Sequence, residues 1–254
     1  MMRFPLRLTA DLTRARLAKK LGFTLDARPI QFLDAAEILH HDSSHPVSHE
    51  KIRNLIGSRS PVIWIGGSEP LLHPGIAHLV RAIAGSGHFV FLETDGTLLR
   101  RRIHEFQPMP RLLLTVRLEP ALKAHAPSAF ELAMEGIRAA RLSGFLICGH
   151  ARVRPETELG ETADVIQFAR SLDVDGIVVT PANDGLNSAH SGTVALLRKT
   201  EEARKLIGGT WWESFSRMVE HVLSGRQSAA RNAGESGIRL EQESHADEEG
   251  VRIA

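Results

Sequence analysis

A parallel α/β fold, a partial (β/α)6 TIM-like barrel, is the architecture this sequence predicts, on three observations. Val62-Ile63-Trp64-Ile65 is a continuous apolar run, the pattern of a strand buried on both faces. It ends in Gly66-Gly67 and passes through Glu69 and Pro70 into a helical segment. Strand and helix then alternate in six units of about 25–35 residues, the size of a βαβ repeat. Right-handed crossovers in such a series build an open doubly wound sheet or a barrel, and six units fall short of the eight that close one.

The elements follow in order. Residues 6–22 set Leu6, Leu8, Leu12, Ala15, Leu17, Ala18 and Leu21 at roughly helical spacing among Arg14, Arg16, Lys19 and Lys20. This predicts an amphipathic leader helix stopping at Gly22. Such a helix packs on its own domain, and a basic one also suits peripheral contact with a membrane surface. Pro29–Leu33 reads as the first strand. A polar, histidine-rich stretch follows, and Ser48 is the N-cap of a helix ending at Gly57. After the Val62–Ile65 strand, the spacing of Ile76, Leu79, Val80 and Ile83 predicts a helix over about 75–84. Phe89–Leu92 is the third strand, closed by a Thr94-Asp95-Gly96 turn and a short helix. Pro108 and Pro110 break the chain before strand four, Leu112–Val116. A helix over 127–142, strand five over 146–153, a helix over 158–172 and strand six over 176–180 complete the core. Two more helices, over 194–207 and 212–223, carry Trp211, Trp212, Phe215 and Met218 and must dock on something. The division is therefore a helix over 1–28, an α/β core over 29–185, and docked helices over 186–225. A polar tail over 226–254 lacks the apolar residues to fold.

Composition excludes several classes. With 254 residues, 43% of them hydrophobic, the chain has enough apolar material for one domain of this kind. A formal net charge of +1 creates no global field for nucleic acid or an anionic membrane. No run approaches the roughly 18 apolar residues of a membrane span, and no signal-peptide pattern is present, so the expected location is the cytoplasm. The single cysteine, Cys148, excludes an internal disulfide and any site built from several thiolates of this chain. No Walker loop is present, and Gly66-Gly67 is not followed by a dinucleotide fingerprint.

Gly67-Ser68-Glu69-Pro70-Leu71-Leu72-His73-Pro74 resembles the GGEPLLHP segment of radical S-adenosylmethionine (SAM) proteins, with Ser68 in place of a glycine. Thr94-Asp95-Gly96 resembles their TNG turn, and Leu172–Ile177 their approach to strand six. Within that superfamily the chain is most similar to the adenosyl-hopene transferases of hopanoid side-chain formation. The similarity runs over about residues 5–225 and takes in the leader helix, the 89–96 stretch and the aromatic segment near Trp212–Gly225. It implies a partial barrel of the radical SAM type, with SAM at the C-terminal ends of the strands. Gly66, Gly67, Ser68 and Glu69 would meet the SAM methionine, Thr94 and Asp95 would lie beside them, and Arg117 and Thr180 would line the rest of the pocket. One departure is severe. The family holds a [4Fe–4S] cluster on CxxxCxxC after strand one, and here residues 34–46 hold no cysteine. Iron–sulfur clusters need thiolates. The resemblance minus its cysteines predicts a non-catalytic homologue, an accessory or regulatory partner of an active relative, that keeps a pocket for SAM or a related nucleoside. The alternative is a SAM-dependent enzyme, either of radical SAM type with its cluster completed by another chain or a metal-assisted or polar catalyst, on an unidentified substrate for which the resemblance suggests the hopanoid or isoprenoid class.

Individual residues carry two readings each. Glu69 is either a functional acid or a brace for its own turn. Asp95 is either a ligand contact or a turn residue bonding its own backbone. Arg152 and Arg154 bind an anion or pair with Glu156 and Glu158. Imidazoles and a carboxylate at His41, His45, His49 and Asp42 suit zinc or iron, although their spacing matches no recognised zinc pattern and loop histidines are commonly solvated. Cys148, within an apolar strand, reads as an inert core thiol.

Overall fold

The computed structural model describes residues 4–22, 28–39, 47–118, 125–182, 190–209 and 211–224. Six parallel strands form one sheet: β1 (Ile30–Asp34), β2 (Val62–Gly66), β3 (Phe89–Thr94), β4 (Leu112–Leu118), β5 (Leu146–Val153) and β6 (Gly176–Pro181). Their order in the sheet is the order in the chain. Every crossover therefore steps one place in the same direction. With right-handed connections, that puts the intervening helices on one face and curls the sheet around the other into a half-barrel. A doubly wound sheet would reverse direction partway, and this one does not.

The helices are α1 (Leu6–Lys20), α2 (Ala35–Leu39), α3 (His49–Ile56), α4 (Ile76–Gly85), α5 (Leu99–Arg102), α6 (Pro127–Leu142), α7 (Leu159–Ser171), α8 (His190–Lys205) and α9 (211–224). Local chemistry sets their ends. The Ser48 hydroxyl accepts from the Lys51 N–H and caps α3. Glu158 and Glu161 form a reciprocal capping box on α7. Gly144, at φ +82°, provides the left-handed turn that stops the chain after α6. The four apolar positions read from the α4 sequence, Ile76, Leu79, Val80 and Ile83, are all buried. The short helix expected after β3 is a single turn, α5, followed by a 3-10 turn over Ile103–Glu105.

Side chains alternate across the sheet with period two. One face carries Ile63, Ile65, Val90, Leu92, Leu114, Val116, Ile177 and Val179, all buried under the helices. The other face lines the lumen, where Trp64 stacks on Phe91 at 5.4 Å. Phe91 in turn meets Phe215 of α9 at 4.8 Å. Phe4 packs on Trp211, Trp212 and Phe215, so the segment leading into α1 and the last described helix plug the same end of the barrel.

The docking of the C-terminal helices has a polar cause as well. β6 is an edge strand, and an edge leaves backbone groups without partners. The Val179 N–H donates to the Ser216 hydroxyl at 3.1 Å, and the Arg204 guanidinium donates to the Val179 carbonyl at 3.0 Å. Arg204 is itself buried and ion-paired with Glu201 and Glu220. At the other end, α1 buries Leu8 and Leu12, while Leu6 and Leu17 on the opposite side of the helix and Leu21 just beyond its end face solvent. The leader helix is therefore not the amphipathic helix its leucine content suggests: Leu6 and Leu17, about three turns apart, share a face that Leu8 and Leu12 do not. No described helix is long and apolar enough to cross a membrane. The tail over 226–254 lies outside the described residues.

Candidate functional site

In a parallel sheet, the loops after the strands meet at one end, and functional groups gather there. The lumen-facing positions nearest that end are Asp34, Gly66, Glu93, Arg117, His150, Arg152 and Thr180. Polar residues thus sit above an aromatic floor of Trp64 and Phe91.

Glu93 is the hub of this layer. Its Oε2 accepts from the Trp64 indole N–H at 2.9 Å, and its Oε1 lies 3.0 Å from His150 Nδ1. His150 Nε2 lies 2.8 Å from the Thr180 hydroxyl. Glu93, His150 and Thr180 are all buried. A carboxylate only accepts, so His150 carries its proton on Nδ1 toward Glu93. Burial by itself would raise the Glu93 pKa. The charge and hydrogen bond of His150, the Trp64 N–H and the nearby Arg117 outweigh it and hold the carboxyl at about 2. The result is a carboxylate–imidazole–hydroxyl chain spanning β3, β5 and β6, able to orient or move a proton at Thr180. Thr115, on β4 beside Glu93, is buried with no hydrogen-bond partner for its hydroxyl among the described residues.

The turn after β2 is tied to its neighbours. Glu69 Oε1 accepts from the Leu71 N–H at 3.1 Å and from the Thr94 hydroxyl at 2.8 Å, and its Oε2 accepts from the Asp95 N–H at 2.9 Å. The Arg117 guanidinium stands 3.6 Å from Glu69 Oε2 and donates to the Gly67 carbonyl at 3.2 Å. Burial raises the Glu69 pKa despite these bonds. Glu69 therefore braces its own turn to the end of β3. Asp95 accepts from the Thr97 N–H and hydroxyl at 2.8 and 2.7 Å, a turn closed on its own backbone. Ser68 is exposed at the tip.

The two glycines have internal reasons. A Cβ on Gly66 would lie 2.4 Å from Glu93 Oε2, and one on Gly67 would lie 2.5 Å from Asp34 Oδ1. Gly67 also sits at φ +88°, a conformation L side chains rarely adopt. The space that the glycines open is thus filled by two carboxylates of the chain itself.

The structure brings Gly66, Gly67, Glu69, Thr94, Asp95 and Arg117 into one cluster and places Thr180 across the lumen, joined to it through His150 and Glu93. A [4Fe–4S] cluster does not fit the residues present. Cys148, the one thiol, is wholly buried on β5, and burial pushes its pKa up, away from the thiolate. The Gly67 carbonyl at the strand end already accepts from the Arg117 guanidinium at 3.2 Å. Among the described residues, no group of three His, Cys, Asp or Glu side chains is placed to hold a metal. His49 is exposed at the start of α3, and His41 and His45 lie outside the described residues.

Sequence reasoning passed over Trp64, Glu93 and His150 as site residues. A signal existed for two of them. Glu93 and His150 are ionisable residues inside otherwise apolar strands, each at the parity that faces the lumen. Nothing in the sequence pairs them, since 57 residues separate them along the chain.

No protein-family model matches the sequence, and no curated protein matches it either. Among solved structures, the chain is similar to a crystal structure of archaeal TYW1, at 15% identity and TM-score 0.41. It is also similar to TYW1 with a lysine–pyruvate adduct bound, at 13% identity and TM-score 0.39. Each match covers 77% of this chain and 60% of the other, so the chain spans about three-fifths of the length of these structures. A likeness at that level carries neither a residue role nor an activity across.

Proposed function

We propose that this chain is a radical-SAM-type barrel that performs no radical chemistry and acts through binding, as a cytoplasmic accessory or regulatory partner of an active relative. One contrast carries the reading. The brace around Glu69 is complete, with Thr94, Asp95 and Arg117 all engaged, while the only thiol is buried on β5. Arg117 supplies a cation to the turn from within the protein. A SAM-like or nucleoside ligand enters this pocket by displacing that guanidinium from Gly67, and its affinity is correspondingly low.

The test is anaerobic reconstitution with iron and sulfide. The expected result is no cluster absorbance near ~400 nm. Stoichiometric absorbance overturns the proposal. Calorimetry with SAM then measures the pocket, with Kd expected near ~1 mM, a free energy of about 4 kcal/mol.

A second reading is favoured by the Glu93–His150–Thr180 chain, whose geometry suits proton transfer. In it the protein is a polar, SAM-dependent or metal-assisted catalyst on a hopanoid- or isoprenoid-related substrate. Mass spectrometry after prolonged incubation with SAM and a hopanoid lipid separates the two. Release of S-adenosylhomocysteine with a methylated lipid favours the enzyme, and intact SAM favours the binding role.

A further inference from the structure

The opposite end of the barrel holds a cavity of about 390 Å³ between α1 and the segments that lead into β2, β3 and β4. Small-molecule sites begin at about this size. Three arginines from three separate elements are among its lining residues: Arg14 from α1, Arg59 before β2 and Arg111 before β4. One carboxylate, Asp11, also lines it, one turn before Arg14 on α1 and 3.7 Å from its guanidinium.

Arginines at this end of a parallel barrel have an ordinary structural use, which is to bond the carbonyls left open at helix C-termini. Those carbonyls are already taken here. The His88 ring nitrogens lie 2.8 and 3.0 Å from the Ser60 and Ile56 carbonyls, and the Ser86 hydroxyl donates to the Ile83 carbonyl at 2.8 Å. The Gly87 N–H donates to Ala84 at 3.2 Å. Arg111 is instead held over the Phe89 ring, 5.4 Å from its centroid. Gly87 leaves room for it, since a Cβ there would lie 3.2 Å from the Arg111 guanidinium. Arg59 makes no ion pair or hydrogen bond with a described side chain and is exposed at the rim.

We propose that this cavity binds a small phosphate-bearing molecule, with Arg59 and Arg111 as the anion-binding forks and Arg14 closing over it from α1. A guanidinium meets a phosphate with two parallel N–H donors, and a phosphate offers enough oxygens for more than one such fork. His88 builds the wall by pinning the 56–60 segment, and it leaves the ligand to the arginines. The site is independent of the strand C-terminal end and of the function proposed for it.

Calorimetry of the full chain with pyrophosphate, at about 150 mM salt to suppress loose surface binding, tests the site. The expected result is saturable one-to-one binding, weakened about tenfold or more by Arg59→Ser and by Arg111→Gln. Arg16→Ala, on α1 but outside the cavity, leaves it unchanged. Arg59 is exposed, so its variant retains the fold and carries the test even where Arg111→Gln lowers the melting temperature. Absence of saturation, indifference to both substitutions, or equal weakening by Arg16→Ala overturns the proposal.

Discussion

Gly66 separates two accounts of the turn after β2, because they differ in the sign of one measurement. If the glycine exists to admit a ligand, Gly66→Ala leaves the folded protein unstrained. Its φ is not in the left-handed region, so alanine then stabilises by about 0.4–1 kcal/mol through the unfolded chain. The structure argues otherwise. The new methyl would stand 2.4 Å from Glu93 Oε2, about 1 Å inside ordinary contact, and 3.1 Å from Trp64 Nε1. Glu93 cannot simply swing aside, because Trp64 and His150 hold its two oxygens and its own Cβ would be 3.2 Å away. Relief costs either a charge-assisted hydrogen bond or overpacking, a net destabilisation of about 2–4 kcal/mol. Urea unfolding of the wild type and Gly66→Ala measures it. Repeating the substitution in a Glu93→Ala background completes a double-mutant cycle with a coupling of about 1–2 kcal/mol. A neutral or stabilising Gly66→Ala, or a cycle with no coupling, refutes the steric reasoning.

Three further outcomes are expected. Glu93 titrates at about 2 in the fold against an ordinary 4.5, so its contribution is complete above about pH 4.5 and is lost as the pH falls toward 2. The stability difference between wild type and Glu93→Gln accordingly shrinks by about 3 kcal/mol over that window, and a difference that stays flat between pH 7 and pH 3 contradicts this. Gly176→Ala puts a methyl 2.0 Å from the Trp212 ring, so α9 must lift from β6. Stability falls by about 3 kcal/mol and tryptophan emission moves to the red, and an unshifted spectrum argues against this docking. Cys148 reacts with a thiol reagent only as fast as the protein unfolds, since it is buried and disfavoured as a thiolate; rapid labelling of the native state contradicts its placement.

Much of the fold was legible because the signals are local. Helix limits such as Pro127–Leu142 follow from a proline at one end and glycine chemistry at the other, and the buried strands announce themselves by apolar runs. The site was legible only where one short segment contains it. Gly66–Glu69 stood out as a strand end opening into a turn, yet its partners, Thr94, Asp95 and Arg117, come from two other strands. The leader helix shows the limit of counting leucines, because they fall on two opposite faces and only Leu8 and Leu12 find a surface to cover.

By itself the sequence determined the alternation of strands and helices and the lack of thiolates for a cluster, since both depend on residue type and neighbours along the chain. The tertiary structure alone decided what the two glycines are for. Glu93 lies 27 residues beyond Gly66 and Asp34 lies 33 residues before Gly67, and only the register of parallel strands sets their carboxylates against that backbone. It also joined Glu93, His150 and Thr180 across three strands. Curling a sheet brings side chains of the same parity together across a lumen, and no spacing along the chain records that distance.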